Sequence, residues 1–588
     1  MSRKTHSKNL RIVFLLYTHL FVLFLFALRL LSIQVFQNDK YKTLAKQQHT
    51  DLQDIPARRG DILSSDGFPL ATTRMAYLMY AEPKKILNIE DTIEKLTQIF
   101  KSSDSAIDTD KLKNDLRKLL TLDLYWVSVR HNIPLRVKEK IESASLKGIG
   151  FEEEPVRYYP EGSLASHVLG FVGGGEDSSL KGYFGIEGFF DGDLKGKSGR
   201  VIEEKGALGN PILVGGYKKV DPTNGRDIVL TINRAVQYIV EKRLKEGVEK
   251  YDAVSGSVIV MNPETGDVVA MANYPTYDPK NFTKEVDVDD KESSTKIERK
   301  NLAIADTYEP GSVIKSLTIS TAVDLNIVKP ETTFSDDGPV SYSGYLINNW
   351  DGKHYGIQTI IQLLQKSNNI GAAWVGYLVG SDKIYKYFSN FGLGSLTGIE
   401  LEGEDAGILR DSGEWTDVDL VNAAFGQGFL ATPIQILNAF NAVVNGGNLM
   451  KPKIVSKIID NGNEIVVKPK VVRKVISRKT SNTMIFLLTK AVEGGESEYF
   501  NIKNYQIAGK TGTAQIFIDG KYDSQKTNAT FIGYVPVSKK FSMIVRLNQP
   551  TSSVFASETT VPLWMDITKD LLVYYGVTPD YGVTPDKL

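Results

Sequence analysis

The sequence of 588 residues contains no cysteine. Disulfides, thiolate catalysis, iron–sulfur clusters and zinc sites built with cysteine are therefore excluded. The six histidines are scattered and show no ligand spacing such as H-E-x-x-H, so the sequence predicts no metal centre. A surplus of one charge is also missing, because 70 Lys and Arg balance 70 Asp and Glu. Since a nucleic-acid binder normally carries a basic surplus, the charge argues against that class.

Long apolar runs are scarce, and the one that exists lies near the amino terminus. Ile12–Leu28 has 17 residues without a charge, and the apolar pattern continues to Ile33. This length crosses a hydrocarbon core of about 30 Å. A cleaved signal peptide is the alternative, but its apolar part usually has about 7–15 residues and is followed by a small-x-small site. No such site follows here, so we predict an uncleaved transmembrane helix at residues 12–33.

Basic residues precede this helix and fix its predicted orientation. Arg3, Lys4, Lys8 and Arg11 lie on its amino-terminal side, and basic residues favour the cytoplasmic face of a membrane. We therefore expect a single-pass protein of the cell (inner or cytoplasmic) membrane. Its amino terminus is predicted to be cytoplasmic, and its bulk periplasmic or extracellular.

At roughly 100–200 residues per domain, the length predicts several folding units. Arg234 to Lys250 has the pattern of a helix, and Ser255 to Met261 and Asp267 to Ala272 flank a five-residue hairpin loop. Strands and helices in this order favour an α/β or α+β sheet with packed helices.

At the carboxyl-terminal end, the hexad Tyr575–Asp580 is repeated once, and we predict an unpacked tail there.

An S-x-x-K pattern at Ser312 and Lys315 places a serine and a lysine one helical turn apart. A lysine in a partly desolvated site can lose its proton near neutral pH and act as a base toward the serine hydroxyl. Glu309-Pro310-Gly311 predicts a turn before the serine, and the apolar helix that follows favours negative charge at its amino end. Two further copies of the pattern are attributed to chance: Ser178/Lys181 and Ser293/Lys296.

Two more short motifs follow in the chain. Ser367-Asn368-Asn369 supplies a hydroxyl that can relay a proton and a carboxamide that can orient a substrate amide. Lys510-Thr511-Gly512-Thr513 is predicted to be a strand along which the backbone of a ligand could lie. Its lysine and hydroxyls suit a carboxylate, and its glycine leaves room for the ligand. Each motif alone also fits a polar helix terminus or an ordinary edge strand, but their combined order is not expected by chance.

S-x-x-K, S-x-N and K-T-G in this order resemble the signature of penicillin-binding proteins and class A β-lactamases. The sequence resembles the class B penicillin-binding proteins, the monofunctional peptidoglycan transpeptidases, over nearly its whole length. Tyr308-Glu309-Pro310-Gly311-Ser312 is similar to the division-type branch. Further segments resemble the same family: 58–71, 157–160, 169–173, 185–188, 391–392, 397–399, 426–428 and 432–433. Ser64-Ser65 and Glu402 depart from its usual pattern, outside the predicted chemistry.

The resemblance implies an α+β fold with an N-terminal transmembrane helix and an elongated mixed pedestal. A β-lactamase-like transpeptidase domain follows, with a central antiparallel sheet and helices on both faces. The predicted segments are a cytoplasmic tail (1–11), the transmembrane helix (12–33), a pedestal of dimerisation type (34–220), the transpeptidase domain (221–574) and a flexible tail (575–588).

The resemblance also implies a division of labour among the site residues. Ser312 would attack the penultimate D-alanine carbonyl of a stem peptide, with Lys315 as the base. Ser367 and Lys510 would pass the proton to the departing amine, and Asn369 would hold the peptide. The substrate-binding strand would consist of Thr511, Gly512 and Thr513, with both threonines on the terminal carboxylate. The amides of Ser312 and Thr513 would form the oxyanion hole, and no cofactor is implied.

The partners implied by the resemblance are D-Ala-D-Ala stem peptides, β-lactams, a SEDS-type glycan polymerase and other divisome membrane proteins. Four other functions share some of the same features: a β-lactamase, a D,D-carboxypeptidase, an elongation-type transpeptidase, and a non-enzymatic β-lactam sensor or divisome scaffold. The length and the anchor argue against a β-lactamase. A sensor would need a cytoplasmic signalling domain, and about 11 residues precede the span.

Overall fold

The computed structural model describes residues 3–174, 180–204, 217–282, 300–518 and 520–580. The second hexad of the tail, Ser178 and the pair Ser293/Lys296 lie outside these ranges.

The α-helices of the described residues are, in chain order, α1 (Arg3–Leu31), α2 (Asn38–His49), α3 (Ile89–Ser103), α4 (Thr109–Leu120), α5 (Leu135–Ser143), α6 (Ser166–Leu169), α7 (Gly185–Phe189), α8 (Asp191–Leu194), α9 (Arg234–Lys250), α10 (Leu302–Ala305), α11 (Lys315–Asp324), α12 (Ile360–Lys366), α13 (Asn369–Val379), α14 (Ser381–Asn390), α15 (Asp417–Phe425), α16 (Pro433–Val444), α17 (Arg478–Glu493) and α18 (Thr560–Tyr574).

The strands are β1 (Thr50–Ile55), β2 (Ile62–Leu63), β3 (Pro69–Ala81), β4 (Val127–Ile133), β5 (Ile149–Tyr158), β6 (Phe171–Gly174), β7 (Leu180–Tyr183), β8 (Gly199–Glu204), β9 (Tyr217–Val220), β10 (Asp227–Leu230), β11 (Ser255–Met261), β12 (Val268–Tyr274), β13 (Thr333–Asp336), β14 (Val340–Tyr342), β15 (Tyr345–Ile347), β16 (Gly356–Thr359), β17 (Asn448–Met450), β18 (Val455–Asp460), β19 (Asn463–Val466), β20 (Val471–Lys474), β21 (Ala508–Ile518), β22 (Lys521–Tyr534) and β23 (Ser542–Asn548).

The chain forms two compact units, and the smaller one contains Met1–Ala57 and Gly196–Asn224. Its strands pair antiparallel in the order β1-β8-β9. Among the described residues, one helical segment is long and apolar enough to cross a membrane, Ile12–Phe36, with a mean hydropathy of 2.2. Two neighbouring polar side chains in this segment bond to their own helix: the Thr18 hydroxyl donates to Phe14 O at 2.8 Å, and His19 Nδ1 lies 2.9 Å from Leu15 O.

The larger unit contains Arg58–Lys195 and Gly225–Leu588, and its centre is a five-stranded antiparallel sheet. The strand order is β12-β11-β23-β22-β21, which leaves β21 at an edge. Side chains alternate across β11, so Val258 and Val260 pack with α9 and α18, while Ile259 and Met261 join the larger core on the other face. The predicted central antiparallel sheet with helices on both faces is confirmed, as is the hairpin of β11 and β12.

A second sheet joins the pedestal to the segment that follows it. Its strands run in the order β19-β18-β10-β2-β3-β4, with β5 paired to β3. Strand β10 pairs in parallel with β2 and antiparallel with β18, so segments far apart in sequence share one hydrogen-bonded ladder. The compact units follow this packing and place Arg58–Lys195 in the larger one. The domain boundary between residues 220 and 221 stays a prediction.

Three of the four pedestal segments that resemble the family, 58–71, 157–160 and 185–188, meet at one buried carboxylate. Glu187 is fully buried and accepts from Arg59 Nε at 2.7 Å and from Arg157 Nε at 2.6 Å. Because a buried charge is costly unless it is paired, two guanidinium groups on one carboxylate hold these segments together.

The first hexad of the tail differs from the prediction of an unpacked segment. Tyr505 donates its hydroxyl to Val577 O at 2.9 Å, and the Asp580 amide donates to Asn504 O at 2.8 Å. The Asp580 carboxylate in turn accepts from the Gln506 amide at 2.7 Å. Residues 575–580 are thus tied to the turn that leads into β21.

Candidate active site

The nucleophile candidate Ser312 lies in a 3₁₀ turn, Gly311–Ile314, that leads directly into α11. Gly311 has a φ of +61°, a conformation that glycine adopts readily, and its amide donates to Gly426 O at 2.9 Å. A Cβ at Gly426 would lie 2.0 Å from Gly311 O, so the turn packs directly on the backbone of residues 426–428. Ser312 itself stays half-buried, which leaves its hydroxyl within reach of a ligand.

Lys315 is fully buried at the start of α11. Its ammonium donates to Ser367 O at 2.5 Å, to Asn369 Oδ1 at 2.8 Å and, more weakly, to Ser367 Oγ at 3.4 Å. Three acceptors for three donors fully satisfy a protonated lysine. The contacts bring the S-x-x-K and S-x-N motifs together, 52 positions apart in the chain.

Lys510, from the third motif, donates to the same hydroxyl. It lies in the edge strand β21, is almost fully buried, and donates to Ser367 Oγ at 2.9 Å. Ser367 adopts a left-handed conformation, with φ of +53°, between α12 and α13. Its oxygen therefore lies between two lysines, and the structure brings the three predicted motifs into one hydrogen-bonded cluster.

Burial changes the acidity of both lysines. Desolvation lowers the pKa of Lys315 well below its ordinary value of 10.5, and the positive charge of Lys510 lowers it further. Desolvation also lowers the pKa of Lys510, to about 8. A nearby carboxylate, Glu496, opposes the shift in each lysine. Both amines can therefore exchange protons much closer to neutral pH than an exposed lysine.

Glu496 was not predicted from the sequence. It lies in the turn between α17 and β21 and accepts from the Thr511 hydroxyl at 2.8 Å. The same Thr511 oxygen accepts from Lys510 Nζ at 3.0 Å. No motif marks this glutamate, because its contact with Thr511 depends on how the turn folds back on the strand.

The other two residues of the predicted substrate-binding strand have different surroundings. Thr513 is half-buried, and its hydroxyl oxygen accepts from the Ala556 amide at 3.0 Å. A Cβ at Gly512 would lie 2.8 Å from Pro310 O and 2.9 Å from Val313 Cγ1. The glycine was predicted to make room for a ligand, but the space beside it is occupied by the turn that carries Ser312.

A buried carboxylate, also not predicted, orients the S-x-N motif. Asp336 is fully buried and accepts from Asn368 Nδ2 at 2.6 Å and from Asn349 Nδ2 at 2.9 Å. Asn349 Oδ1 in turn accepts from the Asn369 amide at 3.0 Å. His354 Nδ1 and the Tyr355 amide complete the shell of Asp336, at 3.1 and 3.2 Å.

We expect Asp336→Asn to lower the free energy of unfolding by about 1.5–3 kcal/mol, the usual net contribution of hydrogen bonds to a charged group. An asparagine would turn an NH₂ group toward groups that already donate. Thermal unfolding of the full chain measures the change. Asp337→Asn is the matched control, because Asp337 is exposed. Equal melting temperatures for the two variants would contradict a structural role for Asp336.

The cluster is suited to nucleophilic acyl transfer. A half-buried serine stands one turn from a buried lysine of lowered pKa, and a hydroxyl between two lysines can relay protons. Among the described residues, no group of three or more His, Asp or Glu side chains could hold a metal ion.

Comparison with known families covers most of the chain. Residues 256–569 match the family model for the penicillin binding protein transpeptidase domain, and residues 54–230 match that for the penicillin-binding protein dimerisation domain. The chain is 31% identical to stage V sporulation protein D of Bacillus subtilis, over 97% of this chain and 86% of that protein. It is 27% identical to the peptidoglycan D,D-transpeptidase FtsI of Escherichia coli K12, over 95% and 91% of the two chains.

Solved structures show the same fold. Penicillin binding protein 2X from Streptococcus thermophilus superposes with a TM-score of 0.72 at 24% identity, covering 89% of this chain and 80% of that one. A peptidoglycan synthetase from Bifidobacterium adolescentis superposes with a TM-score of 0.70, also at 24% identity, covering 91% and 98%.

Proposed function

This chain belongs to the class B penicillin-binding proteins, and we propose that it is a peptidoglycan D,D-transpeptidase with Ser312 as its nucleophile. The observation that carries the proposal is the cluster in which Lys315 and Lys510 both donate to the Ser367 hydroxyl beside the Ser312 turn. The names of the relatives support the substrate, because several are called peptidoglycan D,D-transpeptidases.

In the acylation step, Ser312 Oγ bonds to the carbonyl carbon of the penultimate D-alanine. Lys315 in its neutral form accepts the hydroxyl proton, as its lowered pKa permits. The bond from carbon to the nitrogen of the terminal D-alanine then breaks. Ser367, bonded to both lysines, hands a proton to that nitrogen, and the terminal D-alanine leaves as a free amine.

The second step regenerates the serine. An amine from a neighbouring stem peptide attacks the ester carbonyl, the ester bond to Ser312 Oγ breaks, and the proton lost by the amine returns to that oxygen through the same relay. The net products are one cross-link and one D-alanine. A β-lactam would be opened by the same attack of Ser312, but its amine stays attached to the acyl group, so the acyl-enzyme persists.

Incubation of the full chain in detergent with a fluorescent penicillin, and separately with a thioester analogue of the D-Ala-D-Ala donor, tests the proposal. We expect stable labelling by the penicillin and transfer of the thioester acyl group to an added D-amino acid. Hydrolysis without transfer would indicate a D,D-carboxypeptidase, and rapid loss of the penicillin label a β-lactamase. Labelling without any thioester turnover would indicate a sensor or scaffold.

The proposed cellular role is septal cell-wall synthesis. The Y-E-P-G-S segment around Ser312 and the relative named FtsI support division. The name of the Bacillus subtilis relative favours a second role, in sporulation. A fluorescent fusion that concentrates at midcell in growing cells would support division, one confined to sporulating cells would support the second role, and one along the side wall would support elongation.

We also propose that the apolar segment anchors the chain in the cell membrane with residues 1–11 in the cytoplasm, and that it contacts a SEDS-type glycan polymerase. Four basic residues before the span support the orientation. The polymerase contact is supported by the family resemblance. Thr18 and His19 do not require it, because both bond to carbonyls of their own helix.

Replacing residues 12–33 with polyleucine is expected to weaken co-purification with the polymerase while export and penicillin labelling persist. A second chimera that restores only Thr18 and His19 separates specific polar contacts from the shape of the whole helix. If the polyleucine chimera retains the polymerase as well as the native chain does, the span is a plain anchor.

A further inference from the structure

We propose that Glu496 is a positioning residue of this site that accepts the hydrogen bond from the Thr511 hydroxyl. The Thr513 hydroxyl then binds the terminal carboxylate of the donor peptide. The inference rests on the proposed function. It differs from the expectation that both threonines bind this carboxylate.

The direction of each hydrogen bond follows from the groups involved. An ionised carboxylate only accepts and an ammonium only donates, whereas a hydroxyl has one hydrogen to give. The Thr511 hydrogen must therefore point to Glu496, 2.8 Å away, and its oxygen accepts from Lys510 at 3.0 Å. A substrate carboxylate, which also only accepts, has no hydrogen to receive from Thr511 in this arrangement.

The Thr513 hydroxyl, in contrast to that of Thr511, has a hydrogen available for a substrate. Its oxygen already accepts from the Ala556 amide at 3.0 Å, so its own hydrogen is free to be donated. The residue is half-buried, whereas Thr511 is buried. Of the two hydroxyls on this strand, Thr513 is thus the one both reachable and able to donate to a carboxylate.

Glu496 also affects the protonation of Lys315 and Lys510, the two lysines that donate to Ser367. The charged or titratable groups that interact electrostatically with Glu496 are Lys510 on β21, Lys315 on α11 and the Tyr355 phenol. Tyr355 in turn donates its hydroxyl to Asp351 and its amide to Asp336. At the end of α17, Lys490 and Glu493 pair with each other at 2.6 Å. The negative charge of Glu496 raises the pKa of both site lysines against the effect of burial.

The first test is the pH dependence of penicillin acylation by the full chain in detergent. The rate should rise as Lys315 loses its proton and fall as Lys510 loses its own, whose pKa is about 8. Glu496→Gln keeps the shape and removes the charge, so both lysine pKa values fall. We expect both limbs of the profile to move to lower pH by about one unit.

Two variants control this experiment. Glu496→Asp keeps the charge and should return the limbs toward their original positions. Glu498→Gln removes the same charge from an exposed residue two positions on and should leave the profile unchanged. Limbs that stay in place in Glu496→Gln, or that move equally in Glu498→Gln, would overturn the inference. Labelling that persisted in Ser312→Ala would overturn the proposed function instead.

The second test separates the two threonines with a penicillin and its carboxamide analogue. Thr513→Val should slow acylation by the carboxylate about 10-fold to 100-fold and change acylation by the carboxamide much less. Thr511→Val should slow both compounds alike, because it disturbs Lys510. Selective loss of the carboxylate compound in Thr511→Val, at an unchanged melting temperature, would overturn the division of roles.

Discussion

Replacing Ser312 by alanine is expected to abolish covalent labelling by a fluorescent penicillin and to leave the melting temperature unchanged. The substitution removes one oxygen, the atom that would become acylated. The turn around it is held by other contacts, namely the Gly311 amide on Gly426 O and the close packing of Gly512 on Pro310 O. Labelling is read from a denaturing gel after incubation of the full chain, so only a covalent adduct is counted.

Ser316 provides a matched control for this variant. It lies one turn further along, and its hydroxyl donates to Val313 O at 2.6 Å, inside the protein. Ser316→Ala should therefore be labelled like the native chain. If Ser312→Ala were still labelled, Ser312 would not be the nucleophile, and the serine of another S-x-x-K copy, Ser293, would be the next candidate.

The sequence predicts those parts of the site that follow local patterns. Ser312 and Lys315 are one turn apart, and Lys510 to Thr513 lie in one strand, so spacing alone places each set. The hairpin of β11 and β12 and the helix α9 likewise have strong periodicity and match their predicted positions. The family resemblance supplied what spacing could not, namely that the three motifs meet.

The residues that the sequence did not reveal make contacts between segments that are distant in the chain. Glu496 meets Thr511 through a turn, and Asp336 meets Asn368 across 32 positions, so neither contact has a periodic signature. The surroundings of Gly512 could not be predicted for a related reason. A glycine in a strand indicates close approach, but not whether a ligand or the protein's own turn approaches. The pairing of β10 with strands from distant segments likewise has no local signature, so the sequence alone did not predict it.

The site contains two kinds of groups. Some hold the Ser367 loop in place, and others change protonation during the reaction. Asp336 accepts from Asn368, and Asn349 accepts from the Asn369 amide, so two hydrogen bonds hold the loop that carries Ser367 in place without substrate. Hydrogen-bonded side chains that are already in place need no reordering during the reaction, which is how such sites lower a barrier. The lysines are the groups left to change protonation.

Lys315→Ala is expected to slow acylation by about 10²–10⁴-fold, the range that a positioned general base contributes. In the resting structure its ammonium has three acceptors, of which Ser367 Oγ is the most distant at 3.4 Å. The bond to Ser367 Oγ is the weakest of the three, so the proton directed there is the least costly to lose when Lys315 becomes neutral. Alanine removes both the base and the tie between α11 and the S-x-N loop.

The rate is measured by mixing the full chain rapidly with a chromogenic cephalosporin and following a single turnover. Lys315→Met keeps the volume of the stem without the amine, so equal losses in the methionine and alanine variants would assign the effect to proton transfer and not to a cavity. Lys366→Ala is the matched control, because Lys366 is an exposed lysine beside Ser367 and should change the rate less than about twofold. A loss of only twofold in both Lys315 variants would show that another group takes the Ser312 proton. Lys510, which also reaches Ser367 Oγ, would then be the amine to replace next.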